Sequence, residues 1–523
     1  MALVAKPSSG DQGGDAPHLV FIPSAGMGHL LPFSRFIAAL ASQGNVDISV
    51  VTALPMVSQA EAEHFAALFA AFPAIRRIDF NLLPLDDATL AGTDPFVLRW
   101  ESLRRSAHLL GPLIAGATPR ASAVVTDVTL ASQVIPIAKK ELQLPCHILF
   151  SSCATMLSFL AYFPTYLDGA NADHLAGDVD IPGIGRIPVD YPPNVLRNPD
   201  SLFTKQFIVN GREIAEADGI LFNTFDALER EALATLRDGK VVPGFPLVFA
   251  VGPLKSTSTE KEAVHGGASS SIAWLDEQPA RSVVYVAFGN RNAAALEQIH
   301  EIGAGLEASG CRFLWVVKTT VVDREDTAEL NNVLDDGFLV FMVNGSDIDP
   351  ENVIAVTLDD LSEDDRRELE QELKKEMAER LKLKLTRYCK TRIGVVKKEW
   401  VDVEAVLRHP AVGLYVSHCG WNSVTESAAC GVPMLAWPMT LGDQRLVATV
   451  IRSAGFGLWL ERWSWDSESS LVRAAEIAEK VKAVMGDEAI SARAKEVGRE
   501  ATKAVAPGGS SHRSMQEFLA ALR

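Results

Sequence analysis

Short apolar runs that alternate with helix-like stretches recur along most of this chain. The first run is at residues 18–23 and leads into a helical pattern over residues 30–43. The alternation restarts at residues 282–288, which precede a helical pattern over residues 296–309. Strands that are apolar on both faces and separated by helices are typical of parallel sheets covered by helices on each side. The sequence therefore predicts an α/β protein, and its 523 residues suffice for two or three domains.

A polar stretch rich in glycine and serine, residues 255–271, separates the two sets of strands and is predicted to be a linker. The N-terminal residues are polar and lack the apolar core of a signal peptide, so we expect a disordered lead. Residues 511–523 have the pattern of an amphipathic helix. The predicted divisions are a lead (1–16), an N-terminal domain (17–254), a linker (255–271), a C-terminal domain (272–505) and a closing helical segment (506–523).

The composition argues against several classes of partner. The formal net charge of −17 opposes binding to nucleic acid, which requires a basic face. The apolar runs are shorter than the roughly 18–20 residues needed to cross a bilayer. The six cysteines show no metal-ligand spacing, which favours reduced thiols in a cytoplasmic protein. We therefore expect small-molecule ligands, with no nucleic acid and no membrane span.

One segment combines a strand, a tight turn and the start of a helix. Residues 413–416 form an apolar run that predicts a buried strand, Gly420 permits the turn, and residues 422–429 suit a helix. Such a unit directs free backbone N–H groups and the positive end of a helix dipole at one point. A diphosphate is stabilised at such a point.

The side chains around this turn have the chemistry that a nucleotide sugar needs. His418, Asn422 and Ser423 can donate to phosphate oxygens, and Glu426, one turn further along, can accept from ribose hydroxyls. Each residue also has a plain structural explanation, because a histidine before a turn is often structural and Asn or Ser at a helix start is often a cap. Their combination in one segment, which also contains Trp400, favours a sugar-nucleotide site.

The order of these residues from Trp400 to Gln444 resembles the signature segment of the plant family 1 UDP-glycosyltransferases. The resemblance implies that a tryptophan stacks on uracil and that a histidine and an Asn-Ser pair hold the phosphates. It also implies that a glutamate binds ribose and that an Asp-Gln pair binds sugar hydroxyls. These roles are assigned to Trp400 (uracil), His418, Asn422 and Ser423 (phosphates), Glu426 (ribose), and Asp443 and Gln444 (sugar), with Trp421 also in the donor site and Asn290 near the phosphates.

Two positions depart from the family pattern. Val403 stands where the family has glutamine, which removes one polar contact to the nucleotide. The stretch between Trp437 and Asp443 is one residue longer than usual. Both changes concern affinity for the donor and the identity of the sugar.

The resemblance extends over about residues 17–339 and 392–523. It implies the GT-B fold, in which two doubly wound Rossmann-like domains face each other across a cleft. The N-terminal domain then binds the acceptor and the C-terminal domain binds the UDP-sugar. The closing helical segment is expected to pack back on the N-terminal domain.

A candidate base follows the first predicted strand, in the sequence Gly26-Met-Gly-His29. The two glycines alone are a weak sign of dinucleotide binding, and Leu31 stands where a third glycine belongs. The family resemblance instead implies that His29 is the general base, and an imidazole pKa near about 6.5 suits that role. Asp127, at the end of the apolar run 123–126, is the expected carboxylate partner of His29. The alternative for Asp127 is a helix N-cap.

The implied reaction is inverting transfer from UDP-glucose as co-substrate. The acceptor attacks the anomeric carbon from the face opposite the diphosphate, and UDP leaves with its charge held by His418, Ser423 and the helix start. No metal and no further cofactor are expected.

Three segments, residues 288–291, 311–323 and 463–466, are similar to cereal flavonoid C-glucosyltransferases. These enzymes act on 2-hydroxyflavanones in their open-chain form, so C-glucosylation of such a phenolic acceptor is the first hypothesis. O-glucosylation of a flavonoid or another small phenol is the alternative, because the same base serves both reactions. A UDP-sugar-binding protein with impaired catalysis is a third.

Residues 340–391 do not fit the family pattern, which needs only a short connection at this place. Residues 362–390 contain apolar positions at four-residue spacing and are predicted to form a long amphipathic helix. Ser362 with Asp365 resembles a capping box at its start. The segment is either a solvated surface insertion, an error in the gene model, or a helix that contacts a partner.

Overall fold

The computed structural model describes residues 16–56, 58–85, 95–256, 268–289, 295–317, 394–397, 401–439, 442–464 and 471–522. Within these residues, two sheets whose strands are all parallel form the centres of two α/β units. The prediction of an α/β fold with two parallel sheets is therefore confirmed.

The first unit is built on a seven-stranded sheet in the order β3-β2-β1-β4-β5-β8-β9, with β6 and β7 forming a separate antiparallel hairpin. Its strands are β1 (His18–Ile22), β2 (Asp47–Leu54), β3 (Arg76–Asn81), β4 (Ala123–Asp127), β5 (Cys146–Phe150), β6 (Val179–Ile181), β7 (Gly185–Ile187), β8 (Gly219–Phe222) and β9 (Leu247–Ala250). Its helices are α1 (Met27–Ala41), α2 (Gln59–Ala71), α3 (Pro95–Ser106), α4 (Leu110–Ala115), α5 (Ala131–Pro136), α6 (Ala154–Ala170), α7 (Leu202–Glu213) and α8 (Arg230–Arg237).

The second unit has a six-stranded sheet in the order β12-β11-β10-β13-β14-β15. Its strands are β10 (Val283–Ala287), β11 (Arg312–Val316), β12 (Gly394–Lys397), β13 (Val412–Ser417), β14 (Met434–Ala436) and β15 (Gly457–Trp459). The remaining helices are α9 (Ala268–Asp276), α10 (Leu296–Ser309), α11 (Val403–Arg408), α12 (Trp421–Cys430), α13 (Gln444–Ala454), α14 (Ala474–Gly486), α15 (Glu488–Val505) and α16 (Ser510–Ala521).

Burial on both faces explains the apolar character of the central strands. Every residue of β1, β4, β5 and β8 is buried, as is every residue of β10 and β13. Helices cover each sheet on both sides, and the strand orders are those of doubly wound folds. The core thus forms layers above and below each sheet.

The last helix, α16, packs on the first sheet. Phe518 is fully buried and its ring lies 5.9 Å from that of Phe36, 5.1 Å from that of His147 and 5.9 Å from that of Phe249. The hydroxyl of Ser511 donates to the carbonyl of Gly252 at 2.6 Å. The chain therefore returns from the second unit to complete the core of the first.

In the described part of the chain, no helix combines the length and the apolar character needed to cross a membrane.

Candidate active site

Each sheet has one point at which its strand order reverses. In the first sheet β1 lies between β2 and β4, and in the second β10 lies between β11 and β13. Ligands of open α/β sheets bind outside the carboxyl ends of the strands at such a point. His29 is the third residue of α1, the helix that follows β1, Asp127 is the last residue of β4, and His418 directly follows β13.

His29 and Asp127 are in contact. His29 Nδ1 is 2.9 Å from Asp127 Oδ2, the carboxylate is fully buried, and the imidazole is 23 % exposed. The other carboxylate oxygen accepts from the backbone N–H of Thr129 at 2.8 Å and from its hydroxyl at 2.6 Å. Asp127 is also the N-cap of the 3₁₀ turn at Val128–Leu130. The two alternatives considered for this residue therefore occur together, one on each oxygen.

The surroundings of Asp127 keep it ionised. Burial acts to raise the pKa of its carboxyl, but the charge of His29 and the hydrogen bonds from His29 and Thr129 outweigh burial, and the pKa is lowered. Because the carboxylate faces Nδ1, we assign the proton of the neutral ring to Nδ1 and its lone pair to Nε2. Such a pair can take a proton at Nε2 while the carboxylate stabilises the imidazolium.

Two serines that follow β5 were not predicted from the sequence. Ser151 Oγ lies 3.1 Å from His29 Nδ1, and the hydroxyl of Ser152 donates to Oδ2 of Asp443 in the second unit. One dipeptide thus contacts both the candidate base and a carboxylate expected to bind the sugar. Their place in the sequence could have identified them, because they directly follow β5, a buried strand that neighbours β4.

His418 lies against two glycines. A Cβ atom on Gly289 would be 2.7 Å from His418 Nε2, and a Cβ atom on Gly420 would be 2.6 Å from the same nitrogen. Gly289 also has a φ of +76°, which favours glycine. Burial lowers the pKa of His418 to about 4, against a weaker opposing effect of the Ala287 carbonyl. The ring is therefore neutral near pH 7 and can offer one N–H to a phosphate.

The helix α12 begins at the predicted place. Gly420 is its N-cap and makes no side-chain cap bond, so the N–H groups of the first turn suit an anion. Asn422 donates from Nδ2 to the carbonyl of Gly28 at 3.3 Å, and Ser423 Oγ accepts from the hydroxyl of Tyr415 at 3.2 Å. Two of the three residues predicted to hold the phosphates thus lie at the helix start, and one of them, Asn422, contacts the helix that carries His29.

The other predicted donor-site residues lie around the same helix and the next one. The ring of Trp421 is buried, and its indole N–H donates to the carbonyl of Asn223 at 3.0 Å. Glu426 forms an ion pair with Arg35 of α1 at 2.7 Å. Gln444 is the first residue of α13, and its Oε1 accepts from the backbone N–H of Met439 at 2.8 Å.

Several predictions concern residues outside the described part of the chain. These are Trp400, Asn290, most of the lead (1–15), most of the linker (257–267), the insertion at 340–391 with its helix at 362–390, and residues 440–441 of the longer stretch before Asp443. Val403, in contrast, is the first residue of α11. Over the described ranges, no group of three or more His, Cys, Asp or Glu side chains could hold a metal ion.

Residues predicted for the two halves of the site meet across the junction of the two units. Four of those expected to bind the donor contact the first unit: Trp421 through Asn223, Asn422 through Gly28, Glu426 through Arg35, and Asp443 through Ser152. The arrangement brings together the His29–Asp127 pair, which can act as a base, an anion-binding helix start and several acceptors for hydroxyl groups. It can bind a diphosphate ester and remove a proton from a second ligand.

Comparison with known sequences gives three findings. A family model described as "UDP-glucoronosyl and UDP-glucosyl transferase" matches residues 389–490. The chain is 52% identical over 513 residues to the rice protein (Oryza sativa subsp. indica) named "UDP-glycosyltransferase CGT", covering 98% of this chain and 97% of the relative. It is 45% identical over 519 residues to the maize (Zea mays) "UDP-glycosyltransferase 708A6", with 98% of each chain covered.

Comparison with solved structures gives a match over both units. The structure described as "Crystal structure of LpCGTa in complex with UDP" superposes with a TM-score of 0.75 at 39% sequence identity, covering 97% of this chain and 99% of the other. The GT-B architecture expected from the sequence is thereby confirmed.

Proposed function

Because the chain belongs to the plant family 1 UDP-glycosyltransferases, as its 52% identity to a rice member over 98% of its length shows, we propose that it is a C-glucosyltransferase. The chain is an enzyme of the UDP-glycosyltransferase class. The proposed donor is UDP-glucose, and the proposed acceptors are flavonoid-type phenols, 2-hydroxyflavanones in their open-chain form first among them.

The observation that carries this proposal is the full-length similarity to the rice relative, whose name contains the initials of C-glycosyltransferase. The same initials occur in the name of the structural relative, which was solved with UDP. The sequence gives further support in three segments that are similar to cereal flavonoid C-glucosyltransferases: residues 288–291, 311–323 and 463–466.

The proposed reaction begins at His29. Its Nε2 removes a proton from a phenolic hydroxyl of the acceptor, and the buried Asp127 carboxylate stabilises the resulting imidazolium. The electron density that this leaves on the phenolate reaches the neighbouring ring carbon. That carbon attacks the anomeric carbon from the face opposite the diphosphate. The bond from the anomeric carbon to the phosphate oxygen breaks with its electron pair on UDP. The proton on the attacked ring carbon then passes to solvent water, which restores the aromatic ring as a phenolate, and the His29 imidazolium returns its proton to the phenolate oxygen.

In this proposal the second unit holds the donor. The N–H groups at the start of α12, with His418, Asn422 and Ser423, stabilise the charge on the leaving diphosphate. With the charge of the diphosphate stabilised by these donors, no metal and no cofactor besides UDP-glucose is required. Trp400 stacks on uracil, Glu426 binds ribose, Asp443 and Gln444 bind glucose hydroxyls, and Trp421 and Asn290 complete the donor site. Inversion at the anomeric carbon of an α-linked donor gives a β-glucoside.

We also propose that the reaction takes place in the cytoplasm. Cys146, Cys153 and Cys419 are buried free thiols, and burial raises their pKa values. Buried thiols of this kind suit a reducing compartment. A fluorescent fusion that accumulates in an organelle lumen would contradict this location.

Two assays test the proposed activity. UDP release is first measured with UDP-glucose and either phloretin or a 2-hydroxyflavanone, for the wild type and for His29→Ala. The isolated product is then heated in acid, which hydrolyses an O-glucoside and leaves a C-glucoside intact. An acid-stable product formed by the wild type supports C-glucosylation, and an acid-labile one means O-glucosylation. UDP-glucose binding without turnover would mean a sugar-nucleotide-binding protein whose catalysis is impaired, with Val403 and the insertion as the first places to examine.

A further inference from the structure

An arginine on the first unit reaches a carboxylate of the donor site on the second. Arg35 belongs to α1, where the residues around it are buried and mostly apolar, Phe33, Phe36 and Ile37 among them. Its side chain is 4% exposed, and its Nη2 donates to Oε1 of Glu426 at 2.7 Å. The glutamate side chain is 11% exposed. This ion pair joins two residues 391 positions apart and lies almost wholly out of water.

The same arginine contacts the chain where it leaves the first unit. Nη2 of Arg35 donates to the hydroxyl of Ser256 at 3.2 Å. The backbone N–H of Ser256 donates to Oε2 of Glu404 in α11 at 3.0 Å, and Glu404 in turn accepts from Arg408 at 2.8 Å. Arg35 is therefore at the junction of α1, the end of the first unit, α11 and α12.

A buried ion pair at such a junction is a strong constraint on geometry. Removing one partner leaves the other charge buried and uncompensated, whereas the intact pair fixes the position of both groups. A carboxylate has two oxygens with about four acceptor positions in all. Arg35 holds one oxygen of Glu426 and thereby sets where the remaining acceptor positions point.

We propose that Arg35 is a positioning residue for the donor nucleotide. It orients the Glu426 carboxylate so that the two hydroxyls of the ribose can donate to it, and it does so when the two units are closed on each other. The first unit thus contributes to nucleotide binding through a residue that need not touch the nucleotide. This inference rests on the ribose role proposed for Glu426.

The test compares two nucleotides that differ in the hydroxyls concerned. Dissociation constants of UDP and of 2′,3′-dideoxy-UDP are measured by calorimetry for the wild type, Arg35→Met and Arg35→Lys. We expect Arg35→Met to weaken UDP about 10- to 100-fold, as for loss of hydrogen bonds to a charged group, and to weaken dideoxy-UDP less than about threefold. Arg35→Lys retains a charge and one donor, so it should recover part of the loss.

A matched control is available in another ion pair that joins the two units. Arg445 in α13 pairs with Asp190 of the first unit at 2.9 Å and is 10% exposed. Arg445→Met removes a buried cation from the same junction, away from Glu426, and is expected to change both dissociation constants less than about threefold. Thermal unfolding of each variant verifies that it is folded.

The outcomes separate the inference from its premise. An equal loss for both nucleotides in Arg35→Met, or no loss for UDP, overturns the positioning role. If Glu426→Gln leaves the ratio of the UDP and dideoxy-UDP dissociation constants at the wild-type value, the ribose role of Glu426 is wrong and the inference falls with it. Neither result bears on C-glucosylation, which is decided by the product.

Discussion

At the scale of single residues, the His29–Asp127 pair carries most of the proposed chemistry. Asp127 uses both oxygens, one for His29 and one for Thr129, so an asparagine of the same shape cannot satisfy both contacts equally. We expect Asp127→Asn to lower kcat about 10²- to 10⁴-fold, because the ring is no longer held in the tautomer that accepts a proton at Nε2. The dissociation constant of UDP should stay within about threefold of the wild type.

Steady-state kinetics and UDP calorimetry measure the two effects separately. His108→Ala, which removes an exposed histidine from the same unit, serves as the control and should leave both quantities unchanged. An Asp127→Asn enzyme with wild-type kcat would show that the carboxylate is a helix cap and nothing more.

His418 gives a pH-dependent prediction. Burial lowers the pKa of His418 to about 4. When UDP-glucose binds, its negative diphosphate lies beside this ring and must raise that pKa. Between about pH 4 and pH 6.5, donor binding should therefore take up a proton, and affinity should rise as the pH falls through this window. Calorimetry of UDP-glucose in buffers of different ionisation enthalpy measures the uptake.

The control for this prediction is a second histidine with the same property. Burial also lowers the pKa of His147 to about 4, but this ring lies against Phe518 under the C-terminal helix. His418→Gln should abolish the proton uptake, and His147→Gln should retain it. Uptake that survives in His418→Gln would place the titrating group elsewhere.

At the scale of elements, the His418 ring packs closely against two glycines, Gly289 after β10 and Gly420 after β13. Gly420 has an ordinary φ of −61°, so Gly420→Ala adds a methyl group without strain in the backbone. That methyl group would lie 2.6 Å from His418 Nε2 and must displace the ring. We expect UDP-glucose to bind about tenfold more weakly, which corresponds to one lost hydrogen bond to a charged group.

Gly486→Ala, at the end of α14, is the matched control, since nothing lies within 4 Å of the added Cβ atom. Calorimetry should give this variant the wild-type affinity. Equal affinities for Gly420→Ala and the wild type would show that the close packing of His418 against Gly420 does not matter for donor binding.

The sequence predicts those elements best that are buried on both faces. The expected strand at residues 219–222 is β8 without any change, and α12 extends the predicted helix by one residue at each end. The helix α1 begins at Met27, three residues before the predicted start, because Gly26 at φ +89° already serves as its N-cap. Edge strands such as β3, whose burial pattern is mostly exposed, give no comparable apolar signal.

The sequence predicted those residues of the candidate site that belong to a recognisable local segment. Motif resemblance predicted roles for His29, Asp127 and His418, but the contacts of Arg35 with Glu426 and of Ser152 with Asp443 arise only when the two units dock. No local pattern encodes them. In the sequence, Arg35 is notable only as a charged residue within the apolar stretch that forms α1.

At the scale of the whole molecule, the C-terminal helix ties the end of the chain to the first unit. Phe518 is fully buried among rings of α1, β5 and β9. Phe518→Ala should lower the free energy of unfolding of the first unit by about 3–5 kcal/mol, the usual cost of such a truncation in a core. Urea unfolding measures the loss. Glu517→Ala, on the exposed side of the same helix, should cost less than about 0.5 kcal/mol, and equal costs would contradict the packing role.

The insertion also belongs to this scale. The strands that flank it along the chain, β11 and β12, are neighbours in the second sheet, with Phe313 paired to Gly394. Since the sheet holds both strands, removal of residues 340–391 with a short bridge should keep UDP-glucose affinity within about tenfold of the wild type. Calorimetry on the deletion variant decides, and a larger loss would mean that the insertion helps to form the donor site.

The most direct test of the central claim is the bond that the enzyme makes. UDP-glucose labelled with ¹³C at the anomeric carbon is incubated with the enzyme and a 2-hydroxyflavanone, and the product is examined by NMR. The account predicts a β-configured anomeric carbon bonded to a carbon of the phenol ring, formed by the wild type and not by His29→Ala. An anomeric carbon bonded to oxygen, or the same product from His29→Ala, would contradict it.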